Sequence, residues 1–299
     1  GRLALRLLRP ACAVGRPLQA SVLLTLLAGL VMVTSIASML SLFINLGAVA
    51  LAVLALGGVL IVLWEWKADR LRSLKACLRW PAIGKGWLVV IILIAGMILD
   101  LSSRLPANPD SGIYHAQAIR WLETYPAVPG LGNLHTRFAF NSSWLVTNSV
   151  FSFGYTGIQS FHALPGFFFL VFALYALNGF KKIYDRMAQP SDWFNAIMLP
   201  LAFFTIASET SSPGTDLPAI LMVWLLVSEW LAEREEPQSE PYRPMVIALT
   251  ALFAVTIKLS VAPVALFTMI LFLQAAFKRK WRMVGSMILG GILIMVPWF

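Results

Sequence analysis

The side chains best suited to chemistry in this 299-residue chain fall in three short stretches. The first is Asn108-Pro109-Asp110-Ser111-Gly112-Ile113-Tyr114-His115, which opens a polar segment continuing to His135, Arg137 and Asn141. The second, Glu209-Thr210-Ser211-Ser212-Pro213-Gly214-Thr215-Asp216, joins two apolar runs with few residues to spare. The third is Lys258, near the end of an otherwise apolar run. Asp110 has the chemistry of a general base. A carboxylate in a first helical turn is also favoured by the helix dipole alone, by about 0.3–1 kcal/mol. Asp216 suits a binding site and equally suits the cap of a following helix, with Pro218 just inside it. Lys258 is either a snorkelling lysine, with Glu209 or Asp216 as partner, or a cation placed to bind an anion at the depth of lipid phosphates. His115 and His135 with Asp110 are a nitrogen and oxygen donor set for a divalent metal ion, although no spacing matches a zinc pattern. Polar groups close to hydrocarbon are costly, which makes all of these functional candidates.

The elements that must hold them are membrane spans. Hydrophobic residues make up 59% of the chain and charged ones 12%, and mean hydropathy is +0.78. Soluble domains carry about a quarter charged residues, and disorder needs low hydrophobicity with high charge, so both classes are excluded. The stretch 18–64 has room for two spans, with Asn45 and Gly47 as turn signals between them. Further apolar runs at 86–103, 158–180, 193–208, 217–232, 245–260, 263–277 and 283–299 bring the expectation to about nine spans. Residues 143–157 are apolar but short. They are expected as a re-entrant or interfacial helix, because counting them as a span would invert everything that follows.

Charge sets the orientation. With the N-terminus in the cytoplasm, 19 of the 23 basic residues fall in inside segments, and only Arg104, Arg120, Arg137 and Lys258 fall outside. The net charge of +9 is then cytoplasmic anchoring and requires no nucleic-acid partner. Glu233, Glu235 and Glu236 read as solvated charges of an inside loop. His115, His135 and His162, with Asp110, Glu209 and Asp216, all fall on the outer side or at its edge. Cys12 and Cys77 sit beside basic runs placed in the cytoplasm, where a disulfide is not expected. The chain starts without Met and stops inside an apolar run, so it reads as a piece of a longer protein whose residues 1–299 form one membrane domain.

The longest outer loop, 104–142, is expected to be ordered and functional. Asn108 before Pro109 is a good helix start, and 109–125 reads as a helix lying on the membrane surface. Tyr114, Gln117, Trp121 and Tyr125 share one face, and His115, Ile119 and Leu122 form a neighbouring stripe. The run from Pro126 to His135 ends that helix in a tight turn rich in proline and glycine.

These features resemble the GT-C fold glycosyltransferases. The resemblance lies in the basic-inside spans, a long first outer loop with an acid before an aromatic-rich helix, and a short acidic second outer loop. Closer still is a group of uncharacterised bacterial polytopic proteins in which D-x-G-x-Y-H leads through a tryptophan to P-G-L-G-N-L-H, an arginine and F-N. Here those residues are Asp110 to His115, Trp121, Pro129 to His135, Arg137 and Phe140-Asn141. The resemblance covers the chain from about residue 86 onward. Many GT-C enzymes carry two adjacent acids in the first loop, and this chain has Asp110 alone.

The resemblance implies an all-α transmembrane bundle in a bacterial inner membrane. Its donor would be a polyprenyl-phosphate-linked sugar, and it would transfer with inversion to an acceptor on the outer face. Glycosidases need two carboxylates because an alkoxide leaving group must be protonated, whereas a lipid phosphate needs only a positive partner. Asp110 would be the base. Lys258, with Arg137, would take the donor phosphate. Catalytic His115, with His135, would orient the sugar or hold a divalent ion, while Tyr114, Asn141, Glu209 and Asp216 would line the substrate site. The rival class is a transporter or flippase of lipid-linked sugars. Such proteins usually carry inverted repeats and broken helices at mid-depth; no repeat is evident here.

Overall fold

The described parts of the apolar runs are largely helical. The computed structural model describes residues 1–8, 21–67, 85–157, 162–237 and 242–298, and none of the described residues lies in a strand. A short α1 (Arg2–Leu8) precedes α2 (Val22–Ser41), α3 (Ala48–Lys67) and α4 (Lys85–Ser103). The long loop holds a π-helical turn (Ser111–His115), α5 (Ala116–Thr124) and α6 (Ser143–Val150). Then follow α7 (Leu164–Tyr184), α8 (Pro190–Thr205), α9 (Asp216–Glu235) and α10 (Arg243–Ile257). A 3-10 stretch (Leu259–Val264) leads into α11 (Ala265–Phe277), and α12 (Trp281–Met295) completes the bundle. Among the described residues five helices are long and apolar enough to cross a membrane: Val22–Ser41, Lys85–Ser103, Leu164–Tyr184, Leu259–Phe277 and Trp281–Trp298. Ala48–Trp64 and Arg243–Ile257 are shorter apolar helices.

The long helices alternate in direction. The end of α2 meets the long loop, where Ser41 O accepts the Ala127 N–H at 2.7 Å and Leu122 O accepts the Leu46 N–H at 2.7 Å. At the same end of the bundle α4 meets the start of α7. A Cβ placed on Gly166 would collide with the Ser102 hydroxyl, so glycine permits that approach. α12 returns to this end too, where Trp298 is bonded to Asn141. At the opposite end the Arg6 guanidinium lies 5.0 Å over the Trp64 ring, and Lys182 pairs with Asp192 at 2.9 Å.

The core post is α10, in which 12 of 15 residues are buried. It packs against α9, α11, α12 and α2. By contrast α4 buries only Ile98, and Leu56, Leu60, Leu93 and Leu99 of α3 and α4 face outward. That placement suits helices whose surroundings are hydrocarbon. α6 is eight residues long, about 12 Å at 1.5 Å per residue, well short of a bilayer core of about 30 Å. Seven of those residues are buried, and Thr147 hydrogen-bonds Thr34 of α2 at 2.7 Å. The expected segment 143–157 therefore holds an α-helix over its first half, wedged among long helices, and a 3-10 turn (Gly154–Thr156) in its second.

The opposite end corrects one expectation. Glu233 and Glu235 are not solvated loop charges. Glu235 accepts the Ser191 N–H and the Ser191 hydroxyl, both at 2.6 Å, which ties α9 to the start of α8. Glu233 lies 3.8 Å from the Arg243 guanidinium. Arg243 also donates to Glu229 at 2.8 Å, and Glu229 accepts the Tyr175 hydroxyl at 2.8 Å. Helical phase explains the change, since 229, 233 and the α10 start share one side of the α9–α10 junction. Glu236, one residue further, is exposed as expected. Cys12, Cys77 and the basic residues between Arg70 and Arg79 lie outside the described residues.

Candidate functional site

The acidic start of the long loop is built locally. Asn108 Oδ1 accepts the Asp110 N–H at 2.9 Å, and Pro109 has no N–H to satisfy. The first turn is π-helical rather than α-helical, a departure often found at functional sites. It leaves Tyr114 half-buried and His115 buried, with the stripe of His115 and Ile119 facing the protein. α5 then continues to Thr124, and Tyr125 is already extended. The expected helix over 109–125 is thus a π-turn joined to a shorter α-helix.

The second loop is stitched onto this turn. The Ser111 and Ser212 hydroxyls lie 2.6 Å apart, and the Asn108 amide donates to Glu209 Oε2 at 3.0 Å. A Cβ on Gly214 would stand 3.0 Å from the Ser212 hydroxyl and 3.1 Å from His115 Cε1, so glycine lets the backbone cross the imidazole without displacing either. Glu209 is consequently held by Asn108. Thr215 occupies the cap position before α9, and Asp216 is the first helical residue.

Asp216 takes Lys258 as its ion-pair partner. Lys258 arrives there because α10 ends beside the long loop. The Ser142 hydroxyl donates to Ile257 O at 2.8 Å, and the Ser143 and Thr256 hydroxyls are 2.8 Å apart. On the other side of the turn, Arg137 Nη1 donates to Asp110 Oδ2 at 2.6 Å, and its guanidinium centre lies 5.1 Å over the Tyr114 ring. Two carboxylate–cation pairs therefore flank Tyr114 and His115, whose rings are 4.1 Å apart.

The electrostatics follow this arrangement. Burial pushes the His115 pKa below the usual imidazole value, and the charges of Asp110 and Asp216 oppose that shift. Burial raises the Tyr114 hydroxyl, with Asp110 adding to the effect. The hydrogen bond to Asp110 raises the Arg137 guanidinium further, so it stays charged. Neither ring nitrogen of His115 has a hydrogen-bond partner, although its side chain is buried.

His135 and Asn141 both make hydrogen bonds to backbone, and Asn141 also lines a cavity beside Arg137. His135 is exposed, and its Nδ1 accepts the Arg137 N–H at 3.2 Å, capping the 3-10 turn that carries Arg137. The Asn141 amide donates to Trp298 O at 2.9 Å, and Trp298 Nε1 donates back to Asn141 O at 3.1 Å. Among the described residues no group of three or more His, Cys, Asp or Glu side chains is placed to hold a metal ion. The expected set of Asp110, His115 and His135 is not assembled, because His135 turns to the Arg137 backbone while His115 turns inward.

Beside the Asp110–Arg137 pair opens a cavity of about 570 Å³. Tyr114 and Trp121 of the surface segment, Arg137, Ser38 and Ser41 of α2, and Trp298 contribute to its walls. Sequence reasoning placed Tyr114, Arg137 and Asn141 here but not the α2 serines or Trp298, whose positions depend on tertiary packing. It gave no role of their own to Ser111, Ser212 and Gly214, small residues within the stretches it singled out. No curated protein and no solved structure matches the chain. A family model described as a domain of unknown function (DUF8201) matches residues 1–299, and the protein belongs to that family.

Proposed function

We propose that the protein is a GT-C-like inverting glycosyltransferase that spans a bacterial inner membrane about nine times, with its N-terminus in the cytoplasm and its site on the outer face. The donor is a polyprenyl-phosphate-linked sugar. The observation that carries this reading is the joining of two sequence-distant loops into one site, with an acid and a cation on each side of a buried histidine. In the reaction Asp110 takes the proton of the acceptor hydroxyl. The acceptor oxygen forms a bond to the anomeric carbon while the carbon–oxygen bond to the donor phosphate breaks. The electron pair leaves with the phosphate, whose charge Lys258 neutralises after exchanging Asp216 for it. His115, Tyr114 and Glu209 position the sugar. A divalent ion is not required by this set of residues.

The test is transfer from a radiolabelled polyprenyl-phosphate sugar in proteoliposomes. Asp110→Asn is expected to lower transfer at least a hundredfold, within the range for loss of a general base of about 10²–10⁴, while membrane insertion stays normal. Transfer within a few-fold of the unsubstituted protein removes Asp110 as the base. Movement of the intact lipid-linked sugar across the bilayer without cleavage would instead identify a flippase.

A further inference from the structure

The two cations of the site do not face the same space. Arg137 lines the cavity of about 570 Å³, while Lys258 does not. That volume falls in the range of small-molecule sites, about 300–1,000 Å³. Arg137 is the one charged side chain among the lining residues. The walls combine aromatic side chains of Tyr114, Trp121 and Trp298 with the α2 serines, Ser38 and Ser41. The Pro126–Gly132 turn lines the cavity on the loop side, and α6 with the ends of α2 and α12 lines it on the other, so it sits at the end of the bundle.

We infer that this cavity seats the acceptor as a saccharide, leaving the Lys258 side to the donor phosphate; the assignment rests on the transferase reading above. A sugar ring presents C–H faces that stack on aromatic rings and a rim of hydroxyls that pair with serines and a guanidinium. An isoprenoid chain satisfies only the rings and would press hydrocarbon against the Arg137 guanidinium, which is unfavourable for a charged group. Tyr114 and Arg137 both line the cavity, and Arg137 also grips Asp110. An acceptor hydroxyl at that wall is therefore next to the base. His115, buried between the two ion pairs, separates the two seats.

The experiment measures binding to the full chain in nanodiscs, by quenching of tryptophan fluorescence and by competition. The probes are undecaprenyl phosphate and a panel of soluble trisaccharides of glucose, mannose, galactose and N-acetylglucosamine. Ala118→Trp fills the cavity from α5, Trp121→Ala removes one wall, and Lys258→Gln removes the other cation. The expected result is at least tenfold weaker trisaccharide binding in both cavity variants with undecaprenyl phosphate binding unchanged, and the reverse in Lys258→Gln. Loss of undecaprenyl phosphate binding in Ala118→Trp with trisaccharide binding intact overturns the inference, and so does a chain that binds no trisaccharide of the panel. Cavity-dependent trisaccharide binding without any undecaprenyl phosphate binding keeps the saccharide seat and removes the transferase reading, so the two failures are separable.

Discussion

His115 has more to gain from a ligand than any other side chain of the site. A neutral imidazole has one donor and one acceptor nitrogen, and both are buried without a partner. Leaving such groups unsatisfied costs about 1–3 kcal/mol each, a cost that a hydroxyl-rich ligand removes. Replacement by an apolar side chain of similar volume should therefore be tolerated by the fold and not by the reaction. His115→Leu is expected to keep or raise the thermal midpoint of the detergent-solubilised protein while reducing transfer at least tenfold. The pH dependence has a definite sign. Because burial depresses the folded pKa, the unfolded chain takes up a proton first as pH falls below about 6.5. Stability is full above that value and declines as pH drops toward the folded pKa. His162, also depressed by burial, acts in the same direction. Thermal scans between pH 7.5 and 5 should show a shallower acid decline in His115→Leu than in the unsubstituted protein. Equal slopes would place His115 in contact with water rather than in the buried pocket.

At the scale of elements, the helices were legible and their interlocking was not. Long apolar runs leave a one-dimensional signal, and the described residues of those runs are largely helical, with five helices among them long and apolar enough to cross a bilayer. The cap at Asn108 was legible for the same reason, since Asx–Pro chemistry is local. The π-turn at Ser111–His115 has no such signal; it is joined across two loops by the Ser111–Ser212 bond. The buried cluster at the far end of the bundle was hidden differently. Arg243 resembles a topological anchor in the sequence, yet its side chain is largely buried beside Glu229 and Glu233. It ties the start of α10 to α9, and Tyr175 adds α7 to the same cluster through Glu229. Removing one partner of a buried pair costs about 3–5 kcal/mol, whereas replacing both by apolar or neutral groups is often close to neutral. Arg243→Ala is accordingly expected to lower the thermal midpoint sharply, and Glu229→Gln with Arg243→Met to restore most of the loss. Failure of the double variant to recover would assign Arg243 to Glu233 instead.

At the scale of the whole molecule, the two ends of the bundle differ in kind. One end gathers the loops with Asp110, His115, Glu209 and Asp216, and the other holds Lys181, Lys182, Arg234 and Arg243 at helix termini. Lysine and arginine accumulate on the cytoplasmic side because loops carrying them are translocated poorly. In the proposed orientation the gathered site faces outward, the side on which the proposed lipid-linked donor would be met. Orientation is the property on which the proposed reaction most depends, since the same site facing inward would meet different substrates. It can be measured without any substrate. Leu134 at the site end and Met187 at the opposite end are both well exposed, 71% and 65%. With Cys12 and Cys77 replaced by serine, Leu134→Cys should react with a membrane-impermeant maleimide in intact spheroplasts. Met187→Cys should react only after the membrane is opened. The reverse pattern would turn the bundle over and place Asp110 in the cytoplasm. Labelling of both positions in intact cells would mean that the helices between them do not alternate across the bilayer as their directions in the fold require.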